Sequence, residues 1–171
     1  MQKIGQSLAI CTVCALFSPA AALEGGRFAS IDGGWIDLAA HEGPALVVNT
    51  ASLCAFTPQY DGLQQLHETF GPRGLLVLAV PSDDFRQELG SDAEVAEFCQ
   101  LTFGLDLPMA TITPVTGEAA HPFYRWLSET EGWAPRWNFS KVLLDEGRVV
   151  GTWGSATRPA SLGAAIEDAL E

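Results

Sequence analysis

The sequence predicts a single α/β domain in which helices flank a central mixed sheet, with a β-hairpin before it. Residues 45–52 and 75–80 are short and apolar, as buried parallel strands are, and a helix-forming segment connects them. Two strands joined by a helix make a parallel βαβ unit. Near the C-terminus, apolar segments on both sides of residues 145–147 predict an antiparallel hairpin. The 171-residue chain is long enough for one domain with a substantial core.

Residues 1–22 have the features of a secretory signal peptide. Lys3 gives a basic start, residues 8–17 are apolar, and the small residues up to Ala22 offer a cleavage site. The apolar segment is shorter than the roughly 20 residues of a membrane-spanning helix. We therefore expect export, to the periplasm or outside the cell, without stable membrane insertion, and a mature domain of residues 23–171. The CxxC formed by Cys11 and Cys14 would be removed with this segment and receives no role.

Charge and cysteine content limit the classes of function. All 21 acidic residues but only eight of the nine basic ones follow Ala22, which leaves a net charge of −13. Such a surface argues against nucleic acid or an anionic membrane as partner. The mature chain keeps Cys54 and Cys99, a pair that forms either a static disulfide or a working one. The histidines are scattered and give no metal-ligand spacing, so we expect neither a metal nor another cofactor.

The first half of the chain carries clear turn and capping patterns. Residues 25–38 predict a hairpin about Asp32-Gly33-Gly34. Thr57 as N-cap and Pro58 at the first helical position predict a helix over residues 58–70. Its apolar face consists of Tyr60, Leu63, Leu66 and Phe70.

Residues 81–90 form a polar loop at the carboxyl end of the second strand, the edge where open α/β sheets carry their chemistry. Ser91 and Glu94 make a capping box that starts a helix ending at about residue 102. The inner face of that helix should carry Val95, Phe98, Cys99 and Thr102. Residues 105–114 are apolar but interrupted by prolines, which predicts an irregular connection.

The remaining predicted elements are a short helix at residues 121–130, strands at 139–144 and 148–153, and a final amphipathic helix at 161–170 with Leu162, Ala165, Ile166 and Ala169 on its apolar face. This order, β-α-β-α-(α)-β-β-α after the hairpin, is a thioredoxin-like arrangement. An antiparallel strand that begins at Phe139 starts at the edge where the parallel strands end. Trp137 and Asn138 should therefore approach both Cys54 and the loop that contains Gln87.

Cys54 is the candidate nucleophile. It follows a buried strand and precedes a helix N-terminus, where unpaired backbone N–H groups and the helix dipole favour a thiolate. The alternative is a buried structural cysteine, since free cysteine is among the most buried residue types. The position at a strand-to-helix turn favours the reactive interpretation.

Four blocks of sequence resemble the glutathione peroxidase family over essentially the whole mature chain. The blocks are residues 49–60 (NTASLCAFTPQY), 85–91 (FRQELGS), 97–99 with 103–104 and Pro108, and 137–141 (WNFSK). The resemblance implies that Cys54 attacks the distal oxygen of a hydroperoxide and becomes a sulfenic acid. It also implies a catalytic tetrad of Cys54, Gln87, Trp137 and Asn138.

Amide and indole N–H groups suit that chemistry, because they are neutral donors that stabilise a thiolate and a developing oxyanion. Taken singly, Gln87 would be a surface residue, Trp137 a core residue and Asn138 a turn residue. Only their convergence with Cys54 favours a catalytic role.

Cys99 resembles the resolving cysteine of the thioredoxin-dependent, non-selenium members of the family, although its place on an apolar helix face also fits a core cysteine. Bridging to Cys54 requires Cα atoms within roughly 7 Å. The reductant would be glutathione or, as Cys99 favours, a dithiol protein. The connection between residues 117 and 137 is short where oligomeric members carry a longer loop, so we expect a monomer. Lys141 receives no role.

Three positions depart from the family pattern: Ala55 replaces a usual glycine, Leu89 a common proline, and the acidic stretch at residues 82–84 a segment that often carries cysteine or asparagine. These departures bear on rate more than on class. Other classes fit less well, since the mature chain has no CxxC, and Ala51 stands where a peroxiredoxin has threonine. The alternative functions are a redox sensor that passes a Cys54–Cys99 disulfide to a partner, and an inactive fold with a static disulfide.

Overall fold

The computed structural model describes residues 23 and 25–171. The predicted signal peptide, with Cys11 and Cys14, lies outside the described residues. Within the described part of the chain, no helix has the length and apolar character needed to cross a membrane.

A two-stranded hairpin precedes the central sheet, as predicted. Strands β1 (Arg27–Ala29) and β2 (Trp35–Asp37) pair antiparallel. The turn between them contains Gly33 and Gly34, both at positive φ, which glycine adopts without a Cβ clash. Phe28 is fully buried and packs against Phe123, so the hairpin closes one side of the core.

The central sheet has four strands in the order β4-β3-β5-β6. They are β3 (Ala45–Thr50), β4 (Leu76–Pro81), β5 (Lys141–Asp145) and β6 (Arg148–Trp153). Strand β3 is parallel to β4, while β5 is antiparallel to both β3 and β6. The sheet is therefore mixed, and the predicted α/β thioredoxin-like arrangement is confirmed.

The core lies on both faces of this sheet. Leu46 and Val48 belong to one apolar cluster, and Ala45 and Val47 belong to the other, as the period of two along a strand requires. Every residue of β3 is buried, because β3 has a strand on each side and is covered on both faces. Cys54 and Cys99 both belong to the first cluster.

Helix α1 (Gln59–Phe70) starts one residue later than predicted. The prediction of Thr57 as its N-cap is wrong: Pro58 is the N-cap, and the Thr57 hydroxyl instead donates to Ala51 O at 2.9 Å and accepts from Cys54 N at 3.1 Å. Thr57 is therefore used inside the turn before the helix. The predicted apolar face of α1 is buried as expected.

Helix α2 (Asp92–Phe103) begins with the predicted capping box, in which Ser91 Oγ accepts from Glu94 N and donates to Glu94 Oε2. Val95 and Cys99 are buried and Phe98 is half-buried, but Thr102 is exposed, so its predicted place on the inner face is wrong. The reason is that Phe103 takes the inward position at the end of α2, where it packs on Tyr60.

The last third of the chain contains α3 (Pro122–Glu131) and α4 (Gly163–Ala169). Helix α4 is shorter than predicted because Pro159–Leu162 forms a separate 3₁₀ turn. Strand β5 begins at Lys141 instead of residue 139, because Phe139 has a φ of 60°, which a strand does not accommodate. Residues 105–114 are irregular, as predicted, and contribute only single β-bridges.

Candidate active site

Cys54 lies in the turn between β3 and α1, where its side chain is 7% exposed. Its backbone N–H donates to Thr57 Oγ1, and its carbonyl accepts from Thr57 N at 3.0 Å. Its Sγ accepts from the backbone N–H of Phe56 at 3.4 Å. This contact places a backbone hydrogen-bond donor next to the sulfur, in the turn that precedes α1.

The loop that contains Gln87 is attached directly to this turn. Leu53 N donates to the Gln87 carbonyl at 2.9 Å, and Ser52 N donates to Glu88 Oε1 at 3.0 Å. The loop is in turn anchored by acidic residues, since Asp83 Oδ1 accepts from Glu88 N. The hydrogen bonds of Leu53 N and Ser52 N keep the start of the nucleophile turn beside the Gln87 loop.

The acidic stretch at residues 82–84, which departs from the family pattern, has a structural use. Asp84 Oδ2 accepts from the backbone N–H groups of Val115 and Thr116 at 2.6 and 2.7 Å, and from the Thr116 hydroxyl at 3.0 Å. These three bonds fasten the loop to the connection that follows α2. The extra carboxylate therefore positions the loop that carries Gln87.

Asn138 is fully buried, and its amide donates from Nδ2 to Gln87 Oε1 at 3.1 Å. The structure thus brings these two predicted residues together across 51 positions of sequence. Because Gln87 uses its oxygen here, its own NH₂ group remains available as a donor.

Trp137 is 40% exposed and packs against Phe85, with ring centroids 5.2 Å apart. It is therefore not a core residue. Leu53, directly before Cys54, is 61% exposed. Trp137, Phe85 and Leu53 form what we call the apolar rim of the site.

The turn at residues 137–140 is held by Asn49, at the end of β3. Asn49 donates to the Trp137 carbonyl at 3.2 Å, and its Oδ1 accepts from Ser140 N at 3.1 Å. Asn49 lies in one of the matching sequence blocks, but the sequence analysis gave it no role. A polar residue inside an otherwise apolar buried strand was the available signal.

Lys141 is a second residue to which the sequence analysis gave no role. It is fully buried, and Nζ donates to Gln59 Oε1 at 2.6 Å and to the Phe139 carbonyl at 2.7 Å. Burial lowers the pKa of its ammonium group to about 8. Lys141 ties the first residue of α1 to the turn that carries Trp137 and Asn138.

Cys99 lies inside α2, 3% exposed, and both described cysteines are free thiols. Burial, together with the nearby Glu88 carboxyl group, raises the pKa of the Cys99 thiol to about 11. Cys99 also lines a cavity of about 260 Å³ with Ile31 and Met109. In this state it is a protonated thiol with a cavity beside it.

Glu88 is a third residue near the site to which the sequence analysis gave no role. It is 8% exposed, and burial raises the pKa of its carboxyl group, against the lowering effect of its hydrogen bonds to Ser52 and Leu89. A single acidic residue in a polar loop gives no sequence signal for such burial. Among residues 23 and 25–171, no cluster of three or more histidine, cysteine or acidic side chains is arranged to hold a metal ion.

A thioredoxin-like fold with a cysteine at the turn between the first sheet strand and its helix, and with the Gln87 loop bonded to that turn, is what a thiol-dependent peroxidase requires. The glutathione peroxidase family model matches residues 27–128, more than half of the chain. The chain belongs to the glutathione peroxidase family. It is a peroxidase that reduces a hydroperoxide at the expense of a thiol reductant.

Relatives from distant organisms agree with this assignment. The chain is 40% identical over 154 residues to a hydroperoxy fatty acid reductase of Synechocystis sp., covering 82% of this chain and 91% of the relative. It is 39% identical over 133 residues to a glutathione peroxidase-like peroxiredoxin of Saccharomyces cerevisiae, covering 74% and 82%. The crystal structure of Trgpx in its apo form superposes with a TM-score of 0.68 at 28% identity, covering 88% of this chain and 96% of that one.

Proposed function

We propose that the protein is a two-cysteine peroxidase in which Cys54 reacts with the hydroperoxide and Cys99 resolves the product. The observation that carries this proposal is the set of hydrogen bonds joining the Cys54 turn, the Gln87 loop and Asn138. The Cys54 thiolate attacks the distal oxygen, the O–O bond breaks, and the leaving alkoxide or hydroxide takes a proton. Cys54 is then a sulfenic acid.

In the second step the Cys99 thiol attacks the Cys54 sulfur, an S–S bond forms and water leaves. Cys99 lies in the middle of α2, so we propose that α2 opens locally to let the two sulfurs meet. The disulfide is then reduced from outside. The cavity beside Cys99 gives an external thiol a path to that sulfur.

A dithiol protein is the reductant we favour over glutathione. Reduction of an internal disulfide needs two electrons, and a dithiol supplies both within one complex. The net charge of −13 after Ala22 also disfavours a small anionic thiol.

We propose organic hydroperoxides with apolar chains as the preferred substrates. The apolar rim exposes Leu53 and Trp137 at the site, and exposed apolar surface of this kind is a binding feature. The printed name of the Synechocystis relative, a hydroperoxy fatty acid reductase, agrees with this preference.

We also propose that residues 1–22 direct export to the periplasm or outside the cell, and that the mature protein is a monomer. The short connection between residues 117 and 137, which contains only α3 and its flanking turns, supports the second point. Size-exclusion chromatography with light scattering tests it.

The experiment that tests the main proposal is a free-thiol count and intact mass of the reduced protein before and after one equivalent of hydrogen peroxide, alongside Cys54→Ser and Cys99→Ser. We expect loss of both thiols to an internal disulfide in wild type, no reaction in Cys54→Ser, and a trapped sulfenate in Cys99→Ser. A thiol that persists at Cys99 in oxidised wild type would contradict the resolving role. Sustained turnover with a dithiol protein distinguishes the enzyme from a redox sensor.

A further inference from the structure

The turn before β5 holds Phe139 in a backbone conformation that a bulky residue rarely adopts. Phe139 has a φ of 60°, in the left-handed region, and its side chain is fully buried. Such a conformation costs free energy and persists only where the surrounding structure holds it. The preceding residue is Asn138, which donates to Gln87 Oε1. The contacts that hold Phe139 therefore also set the position of the Asn138 amide.

Three contacts hold Phe139 in this conformation. Its backbone N–H donates to the Asn49 carbonyl at 2.6 Å, and its own carbonyl accepts from Lys141 Nζ at 2.7 Å. Its ring packs edge-on against Tyr60, with the ring centroids 5.3 Å apart. Hydrogen bonds from a charged donor are stronger than those between neutral groups. The bond from the Lys141 ammonium group should therefore be the strongest polar contact of Phe139.

Lys141 also reaches the start of α1. Its Nζ donates to Gln59 Oε1 at 2.6 Å, and Gln59 Nε2 in turn donates to the Ser155 carbonyl at 2.6 Å. The Gln59 amide is thus fixed at both ends. Gln59 is the first residue of α1, the helix that follows the Cys54 turn. One ammonium group therefore joins the helix behind the nucleophile to the turn that carries Asn138.

This ammonium group is buried without a carboxylate beside it. None of the ion pairs among the described residues includes Lys141. Its neighbours in the sheet are Val48 and Trp153, and from α1 it meets the neutral Gln59, so no titratable side chain faces it from these elements. Lysine is almost never fully buried unless it is paired with an opposite charge. The cost of burying this charge indicates that the charged donor has a use.

We propose that Lys141 is a positioning residue for the reaction of Cys54 with peroxide. Its ammonium group holds the turn at Phe139 against α1, which keeps the Asn138 amide on Gln87 Oε1. The NH₂ group of Gln87 then stays available to the reacting oxygen. This inference rests on the proposed nucleophilic role of Cys54. None of the described hydrogen bonds joins Lys141 to Cys54, and Lys141 exchanges no proton or electron in the step.

The test is a double-mutant cycle of Lys141→Met, which keeps an unbranched side chain without the ammonium group, and Asn138→Ala. Stopped-flow kinetics give the second-order rate constant of Cys54 with hydrogen peroxide. Lys141→Met should lower it about tenfold, because a displacement of about 1 Å in the site costs up to about 100-fold. The double variant should react no more slowly than Asn138→Ala, since both changes act through one amide. An unchanged rate constant in Lys141→Met, or multiplication of the two single effects, would overturn the proposal.

Val142→Ala is the matched control. Val142 is the next residue of β5, it is also buried, and it belongs to the second core cluster, away from the Cys54 turn. Its truncation should lower the midpoint of urea unfolding and leave the rate constant unchanged. An equal loss of rate in this control would overturn the assignment of the effect to Lys141.

The charge of Lys141 gives a second readout, which a loss of packing would not change. Burial lowers the pKa of the ammonium group to about 8, so the group is charged below that pH and neutral above it. The ratio of the wild-type rate constant to that of Lys141→Met cancels the ionisation of Cys54 that both proteins share. This ratio should decline as pH rises through about 8, since a neutral amine is a weaker donor. A ratio independent of pH would overturn the role of the charged donor.

A measurement in Cys54→Ser leaves Lys141 in place and removes the titration of the nucleophile. The NMR signals of the Asn138 side-chain amide should shift as pH passes about 8. Constant signals would overturn the link between Lys141 and Asn138. Peroxide treatment that leaves the wild-type Cys54 thiol intact would contradict the proposed function itself. Equally fast oxidation of Cys54 in wild type and Lys141→Met would overturn this inference alone.

Discussion

The two cysteines are almost equally buried in the same core cluster, yet their surroundings differ in kind. Cys54 lies in a turn, where a backbone N–H points at its sulfur and the neighbouring Leu53 is exposed. Cys99 lies within a helix, where the backbone groups are engaged and the near neighbours are a phenol and a carboxyl group. The two thiols are therefore alike in burial and differ in the groups that surround the sulfur.

The different surroundings of the two thiols bear on their roles in the proposed reaction. In the proposed cycle Cys54 meets the peroxide first, while the protonated Cys99 is a poor nucleophile and stays reduced until a sulfenic acid is present. Oxidation would then follow a fixed order.

The largest effect on peroxide consumption should come from replacing either cysteine by serine. Cys54→Ser should reduce peroxide consumption to the uncatalysed rate. Cys99→Ser should still consume one equivalent of peroxide but fail to turn over with a dithiol protein reductant. Both are measured by peroxide consumption under single-turnover and steady-state conditions, and equal behaviour of the two variants would remove the distinction between the cysteines.

A smaller effect on the reaction of Cys54 with peroxide should follow from removing the Gln87 amide. Gln87→Ala should lower the second-order rate constant of Cys54 with peroxide by about 100-fold, as loss of one oxyanion donor does. Gln64→Ala is the control, since it removes an amide that is buried on α1 and bonds to Glu68 and Asp106, away from the Gln87 loop. Stopped-flow kinetics measure both, and an effect of similar size in the control would indicate a general loss of structure.

The rate at which Cys99 is alkylated should report the protonation state of its thiol. With the pKa of Cys99 raised from 9.0 to about 11, its thiolate fraction at neutral pH falls about 100-fold on folding. Alkylation of Cys99 by iodoacetamide in the Cys54→Ser variant should therefore be at least that much slower in native protein than in urea. It should rise about tenfold per pH unit up to pH 11, and a plateau below pH 9 would contradict the pKa assignment.

The raised pKa of Cys99 also makes the free energy of unfolding depend on pH. Between pH 9 and pH 11 the folded chain holds the Cys99 proton that the unfolded chain has lost, so this group's contribution to stability falls as pH rises through that window. Urea denaturation of wild type and Cys99→Ala at pH 8 and pH 10.5 measures it. The difference in free energy of unfolding between the two proteins should be smaller at the higher pH.

The smallest effect should come from the turn that holds Cys54. Thr57→Val leaves Cys54 N and Ala51 O without their partner, which should cost about 2 kcal/mol of unfolding free energy. Thr113→Val is the control, because the Thr113 hydroxyl is also buried but bonds only to Thr111 O. Urea titration compares the two, and slower reaction of Cys54 with peroxide should appear only in Thr57→Val.

Local patterns in the sequence predicted the architecture well. The βαβ unit, both hairpins and the capping box at Ser91 follow from periodicity, turn residues and near-neighbour hydrogen bonds, which act over a few positions. The errors lie where a distant partner overrides the local preference. Thr57 is a good N-cap by type but is taken by the Cys54 turn, and Phe139 is a good strand residue but is held in a turn by Asn49.

The same limit applies to the site. Cys54, Gln87, Trp137 and Asn138 were predicted as a site because a family resemblance adds information that spacing alone lacks, and the structure joins Asn138 to Gln87 and the Gln87 loop to the Cys54 turn. The sequence analysis gave Glu88 and Lys141 no role, because a charged residue normally lies in solvent. Only the folded chain shows that both are buried. Their partners are up to 82 positions away in sequence.

The hydrogen bonds of Asn49 span 88 and 91 residues, so the turn that carries Trp137 and Asn138 is fixed only after β5 has joined β3. Contacts of such sequence separation form late in folding, because a long loop must close first. We therefore expect a partly unfolded chain, which lacks the hydrogen bond from Asn138 to Gln87, to react with peroxide more slowly at Cys54 than the folded chain does. Fast oxidation of Cys54 is consequently a test of complete folding, and its recovery after dilution from urea should coincide with the last folding phase.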